Sequence, residues 1–296
     1  MNMAKIGFVS YPGAPTLTPD DRLVFEPLAE LGGLAVALVW SDESVRWGEY
    51  AAVVVRSTWD YHLVPDSFRT WLDRMERDAI PLWNPTALIR WNMNKTYLRE
   101  LEVKGVSIPA TVWPSVEGAA DLGAILTERD WDRAVVKPTI SGSAFSTWVT
   151  RRASAKADHR RFSEMLQAGQ VMVQRFEQAV VDGGEWSLVF LGGEFSHAVL
   201  KRPEAGDFRV QQQFGGTITV AEPPESALAA ARAALRLVEF PWLYARVDMV
   251  HSEGRWLLME LEMLEPDLFL RTNEAAPHRF ARAIAAVSSA GRPAYR

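Results

Sequence analysis

Arg246-Val247-Asp248 and Glu260-Leu261-Glu262 carry the densest chemistry in the sequence, separated by a turn signal at Ser252-Glu253-Gly254. Period-two alternation in a hairpin puts Arg246 and Asp248 on one face and Glu260 and Glu262 on one face of the neighbouring strand. If that face is shared, three carboxylates and one guanidinium converge. Carboxylates crowded together repel unless a cation sits among them, and hard oxygen ligands suit Mg²⁺ or Mn²⁺. A solvated strand face with cross-strand charge pairs is the competing reading. The apolar alternates Val247, Met249, Leu258, Met259 and Leu261 anchor the hairpin in a core and aim the acidic face outward at something.

Two lysines come earlier. Lys137 ends the apolar run Val135-Val136-Lys137-Pro138, where an ammonium is costly unless an anion meets it. An edge-strand lysine with its head in water is the plainer alternative. The loop Ser141-Gly142-Ser143 shifts the balance, because small residues let backbone N–H groups approach phosphate oxygens. Lys95 lies upstream in Asn94-Lys95-Thr96-Tyr97-Leu98.

The elements that must position these residues follow from hydrophobic periodicity and breakers. Ile6 to Ser10 predicts a buried strand, and Thr18-Pro19-Asp20-Asp21 predicts the start of a helix running to Leu31. Strands over Leu34 to Trp40 and Ala51 to Val55 follow, the latter ending in Arg56-Ser57-Thr58-Trp59-Asp60-Tyr61. This is the layout of an open parallel sheet with a ligand edge, and it makes residues 1–93 an α/β domain. A helix containing Lys95 and closed by Gly105 opens a small α+β unit over 94–176, with strands near Ala134 to Lys137, Ser146 to Val149 and Val171 to Phe176. The remainder, 177–296, predicts antiparallel strands over Glu185 to Leu191, Glu194 to Leu200 and Phe208 to Gln213, an alanine-rich helix from Ser226, and the acidic hairpin.

Bulk composition narrows the function classes. The chain has 296 residues, 48% hydrophobic and 23% charged, which fits a globular enzyme of one to three domains. No cysteine is present, which excludes disulfides, thiolate metal sites and a cysteine nucleophile. A net charge of −5 without basic runs argues against nucleic acid. No apolar stretch approaches a membrane span, and no signal-peptide core precedes the first strand, so a cytoplasmic protein is expected. The expected partners are small molecules, with no nucleic acid and no membrane, and a homodimer is allowed. The five histidines show no metal spacing.

Taken in order, Lys95, Val136-Lys137-Pro138 with Ser141-Gly142-Ser143, Gln174-Arg175-Phe176-Glu177, Gly184-Glu185, Asp207-Phe208-Arg209 with Gly215-Gly216, Arg246-Val247-Asp248 and Glu260-Leu261-Glu262 resemble the signature of the ATP-grasp superfamily, over roughly residues 85–275. Glutathione synthetase and D-alanine–D-alanine ligase belong to it. The resemblance implies three domains with ATP between the middle and C-terminal ones. It implies that Lys95, Lys137 and the Ser141, Gly142 and Ser143 loop hold the phosphates, that Gln174, Arg175, Phe176 and Glu177 line the adenine pocket, and that Glu185 takes the ribose. Lys201 or Arg209 would meet the γ-phosphate, Arg246 would steady the transferring group, and Asp248, Glu260 and Glu262 would hold Mg²⁺. The last of these is commonly asparagine in the family.

The Arg56 to Tyr61 segment and the Glu265-Pro266-Asp267-Leu268-Phe269 tail resemble an actinobacterial branch that includes the ligase cyclising O-ureido-D-serine to D-cycloserine. The implied chemistry is an ATP-derived acyl phosphate attacked by an amine, with Arg56, Ser57, Asp60 and Tyr61 of the first domain contacting substrate. A nucleotide-binding regulator without turnover and a small-molecule kinase remain as alternatives.

Overall fold

The computed structural model describes residues 3–115, 118, 120–142 and 144–290. The first sheet uses β1 (Ala4–Ser10), β2 (Gly33–Val39), β3 (Ala52–Ser57) and β4 (Leu82–Trp83), all parallel, in the order β2-β1-β3-β4. All six residues of β3 are buried, as expected for a strand covered on both faces. In place of the single helix expected from Thr18 to Leu31 there are two short ones, α1 (Pro19–Arg22) and α2 (Phe25–Glu30). Pro27 explains the break, because it offers no N–H to the Leu23 carbonyl and its ring crowds that position. Thr18 caps α1 by accepting from the Asp21 N–H. The other face of the sheet is covered by α3 (Pro65–Arg77), which buries Phe68, Trp71, Leu72 and Met75.

A second correction concerns Lys95. The expected continuous helix is α4 (Thr86–Asn92) and α5 (Tyr97–Val103), with Lys95 in the turn between them. Asn94 Oδ1 accepts from the Thr96 N–H, and the Lys95 N–H donates to the Thr139 carbonyl (2.8 Å), so neither amide feeds a helical ladder. The lysine is thereby tied to the second sheet. That sheet comprises β5 (Thr111–Val112), β6 (Arg133–Pro138), β7 (Trp148–Arg151) and β8 (Val171–Arg175) in the antiparallel order β5-β8-β6-β7. Two helices, α6 (Leu122–Glu128) and α7 (Ala155–Ala168), bury Leu122, Leu126, Phe162 and Leu166 against Val136 and Val173.

After α8 (Ala179–Asp182) the third sheet contains β9 (Glu185–Leu191), β10 (Glu194–Arg202), β11 (Thr217–Val220), β12 (Tyr244–Ser252) and β13 (Arg255–Glu262), ordered β11-β10-β9-β12-β13 and antiparallel throughout. The hairpin between β12 and β13 turns on Glu253 (φ 51) and Gly254 (φ 77), the two positive φ values a tight primed turn requires. Helix α9 (Glu225–Leu235) packs its alanines close to this sheet, while α10 (Ala276–Ala290) bridges it to the first. No strand forms over Phe208 to Gln213. The Asp207 carboxylate accepts from the backbone N–H groups of Phe208 and Arg209, bending the chain away from a ladder.

The first and third sheets are joined by buried polar side chains. Asn84 donates to the Tyr244 and Met263 carbonyls (2.9 and 2.7 Å) and accepts from the Leu243 N–H (2.6 Å). The Tyr244 hydroxyl lies between the Val55 and Leu264 carbonyls (2.5 and 2.8 Å).

Candidate active site

A cavity of about 290 Å³ opens between the second and third sheets and reaches the carboxyl end of the first. Its polar floor is the acidic hairpin. Arg246 pairs with Glu262 and Asp248 with Glu260 across the β12–β13 ladder, with a bulge immediately after Asp248. The expected face is therefore real, and all four side chains line the cavity with Lys95, Lys137, Lys201 and Glu185.

The carboxylates are not left to repel one another. Lys95 Nζ meets Glu260 (2.8 Å) and donates to the Ser141 carbonyl (2.8 Å). Lys201 Nζ bridges Glu185 (2.6 Å) and Asp248 (3.2 Å). Arg246 donates to Asp248 (2.9 Å) and to Glu262, and Ser187 Oγ donates to Asp248 (2.5 Å). Burial works against an ionised Asp248, but Arg246 and Lys201 outweigh it and hold its pKa at about 2. Lys137 differs from these cations: its side chain has no hydrogen bond and no ion pair among the described residues. Burial, ahead of the opposing pull of Glu260, holds its pKa below the ordinary lysine value. An unpartnered ammonium facing a cavity is expensive until an anion arrives.

The donor chemistry fits a hard divalent cation. Asp248, Glu260 and Glu262 present carboxylate oxygens on one face, and burial together with Glu260 and Asp248 pushes Glu262 up to about 8 despite Arg246. Among the described residues, however, no three acids or histidines already surround a common metal position; Glu260 is paired with Lys95, and Asp248 and Glu262 with Arg246.

The residues expected around a nucleotide base also line the cavity. Gln174 Nε2 donates to Thr111 Oγ1 (3.1 Å), Arg175 Nε to Glu177 (2.9 Å), and Ser252 Oγ to Glu177 (2.8 Å). The Phe176 ring lies edge-on to Phe208 (6.1 Å) and under Arg133 (4.0 Å). Glu185, expected at the ribose, lines the same cavity and pairs there with Lys201 (2.6 Å). Arg209 lines the cavity but pairs with Asp207 (2.7 Å) and stacks over Phe214 (3.7 Å). Ser141 and Gly142 line the cavity, and Ser143 falls outside the described residues.

On the acceptor side three expected contacts, Arg56, Ser57 and Asp60, do not line the cavity. Arg56 is 2% exposed and does not line the cavity; its Nε pairs with Asp21 (2.9 Å) and its Nη2 donates to the Pro266 carbonyl (2.7 Å). Ser57 Oγ donates to the same Asp21. Asp21, in the first turn of α1, is buried and consumes both side chains. Asp60 accepts from Trp40 Nε1 (2.8 Å) and is likewise away from the cavity. Tyr61 does line it, together with Trp59, Glu265, Asp267 and Phe269, which the sequence reading left without individual roles. Continuity of Glu265 and Asp267 with the acidic strand was the available signal.

Comparison with known proteins agrees with this geometry. A family profile described as D-cycloserine synthetase DcsG, N-terminal domain, matches residues 6–84. The cycloserine biosynthesis protein DcsG of Streptomyces lavendulae is 30% identical over 281 residues, covering 88% of this chain and 91% of that one. The crystal structure of D-cycloserine synthetase DcsG superposes with a TM-score of 0.84 at 27% identity, covering 96% of this chain and all (100%) of the other. The D-alanine–D-alanine ligase of Bacillus anthracis complexed with ATP shares the fold, with a TM-score of 0.68 at 15% identity over 97% of this chain and 98% of its own. The parallel sheet, the two antiparallel sheets and the cavity between them are thus the ATP-grasp architecture, and the chain belongs to the DcsG family of ATP-grasp ligases.

Proposed function

We propose that this enzyme uses Mg-ATP to convert the carboxylate of a small amino-acid-like substrate into an acyl phosphate and closes it onto a nitrogen nucleophile, as a cyclo-ligase of the D-cycloserine synthetase kind. The observation carrying this reading is the convergence of Lys95, Lys137, Lys201 and Arg246 on one cavity, where Lys137 alone of the four has no anion among the described residues.

In this reading residues 94–176 and 177–296 form the nucleotide clamp and residues 1–93 shape the acceptor end. The triphosphate enters between β6 and the β12–β13 hairpin, where Lys137 and Lys95 neutralise it, and the base occupies the Gln174 to Glu177 side. Asp248, Glu260 and Glu262 would hold Mg²⁺, which when bound supplies further charge neutralisation at the phosphates. A substrate carboxylate oxygen attacks the γ-phosphorus, the bond to the β-phosphate oxygen breaks, and ADP is the leaving group. Arg246 lies where charge on the transferring group accumulates. The nitrogen then attacks the acyl carbon, the carbon–oxygen bond to phosphate breaks, and the nitrogen loses its proton. Positioning and charge neutralisation suffice for both steps, so no side-chain nucleophile is required.

No described helix is long and apolar enough to cross a membrane, and we assign the enzyme to the cytoplasm, where ATP is available. The direct experiment is ADP and phosphate release with O-ureido-D-serine and a panel of amino acids. Substrate-dependent release of both, with a cyclised or ligated product, is expected. A stable phosphorylated product would make the protein a kinase, and nucleotide binding without release would make it a regulator.

A further inference from the structure

Among the described residues seven carboxylates line the cavity, and six have a basic partner: Glu177 has Arg175, Glu185 has Lys201, Asp248 and Glu262 have Arg246, Glu260 has Lys95, and Asp267 has Arg271. The seventh, Glu265, meets no basic side chain within ion-pair distance and no hydrogen-bond donor from another residue among those described. Its backbone is the opposite of free. After β13 the chain runs without regular structure, yet successive carbonyls are each held by a side chain. Asn84 donates to Met263 (2.7 Å), Tyr244 to Leu264 (2.8 Å), Trp59 Nε1 to Glu265 (3.0 Å), Arg56 to Pro266 (2.7 Å), Arg246 Nη1 to Asp267 (3.1 Å), and His197 Nε2 to Leu268 (2.9 Å).

A backbone pinned at six consecutive carbonyls presents its side chains in a preorganised geometry. Only Glu265 on this segment directs an uncompensated charge into the cavity, and it does so beside Trp59 and Tyr61, which line the end formed by the first sheet. A partly buried carboxylate without a cation is costly alone, and aromatic faces favour a neighbouring ammonium.

We propose that Glu265 is the ammonium anchor of the acceptor end: it pairs with the protonated α-amino group of an amino-acid substrate, between Trp59 and Tyr61, and thereby points the substrate carboxylate toward Lys137 and Arg246. This rests on the ligase reading above and narrows its substrate to a zwitterionic amino acid. Arg56, although it contacts no substrate, becomes a positioning residue for Glu265 through the Pro266 carbonyl.

The test uses the full chain and the variants Glu265→Gln and Glu265→Asp. Loss of a charge-assisted hydrogen bond made equally in ground and transition states raises KM without a matching fall in kcat, here by roughly tenfold or more for O-ureido-D-serine in Glu265→Gln. Glu265→Asp recovers part of that loss, and KM for ATP and the Mg²⁺ concentration for half-maximal rate stay within about twofold in both. In parallel, D-serine raises the melting temperature of the wild-type protein more than D-glycerate, which lacks the ammonium, and Glu265→Gln abolishes the difference. An unchanged KM in Glu265→Gln overturns the assignment, as does a D-serine shift no larger than that of D-glycerate. A changed Mg²⁺ requirement overturns it in favour of a metal ligand. Absence of amino-acid-dependent ADP release from the wild-type enzyme overturns the ligase reading, whereas the melting comparison still reports on Glu265.

Discussion

Lys137 and Glu260 show how the meaning of a charged residue depends on its partner. Lys137 has none, so Lys137→Met should leave folding cooperative, relieve the cost of a partly buried ammonium, and abolish nucleotide-dependent turnover; ADP release and a thermal melt on the same sample check both halves. Glu260 behaves otherwise. Three acids on one face suggest that removing one charge relieves repulsion, but Glu260 is the partner of Lys95, a side chain only 9% exposed. Glu260→Gln therefore leaves a buried ammonium with a weaker acceptor and should cost about 1–3 kcal/mol in a metal chelator. Turnover should fall by orders of magnitude as well, since the same carboxylate belongs to the proposed metal set. Melting in EDTA that matches or exceeds the wild type would mean that the Lys95 pair contributes nothing to folding.

The end of β3 and the segment after β13 depend on each other. Arg56 sits over the Tyr244 ring (4.8 Å) while bridging Asp21 and the Pro266 carbonyl. Removing it by Arg56→Ala strands a buried Asp21 and frees one carbonyl of the pinned segment, a loss of about 3–5 kcal/mol. Denaturant unfolding measures this, and a variant of normal stability with only a raised substrate KM would restore Arg56 to direct substrate binding. The far end of the same segment carries a pH dependence. Burial, ahead of its hydrogen bonds to the Leu268 and Phe269 backbone, keeps the His197 pKa below its ordinary value of 6.5. The unfolded chain then binds a proton more readily than the folded one, so the His197 contribution is intact above about pH 6.5 and is lost as pH falls toward the depressed folded value. The slope of stability against pH between 7 and 5 should flatten in His197→Asn, and an unchanged slope would place the titration elsewhere.

At the scale of the molecule the cavity is a cleft between two sheets, joined at one end by the ion pair of Arg175 with Glu253 (3.1 Å) and at the other by Lys95. Its amide donates to Thr139 and its ammonium to Ser141 beside the second sheet, while the same ammonium pairs with Glu260 of the third. A ligand gripping Lys137 from one side and the β12–β13 hairpin from the other ties the sheets together. Mg-ATP at about 100 times its Kd should stabilise the protein by about 2.7 kcal/mol. Most of that gain should vanish with chelator. A melt raised equally by ATP with and without Mg²⁺ would show that the acidic hairpin does not hold the metal.

Much of this was legible in the linear sequence. Period-two alternation and a Glu-Gly turn suffice to place Arg246, Asp248, Glu260 and Glu262 on a common face, because strand geometry is local and the turn sets the register. The apolar run of β3 and the small-residue loop after Lys137 were readable for the same reason. What tertiary structure alone decided is which charges are spent. Asp21 lies far from Arg56 in sequence yet captures it; Lys95 finds Glu260, and six carbonyls after β13 find donors drawn from both the first and third sheets. Ion pairing is a long-range choice among many possible partners, settled by which groups the packed sheets bring within reach. The unpaired Lys137 and Glu265 became visible only once every other pairing had been made.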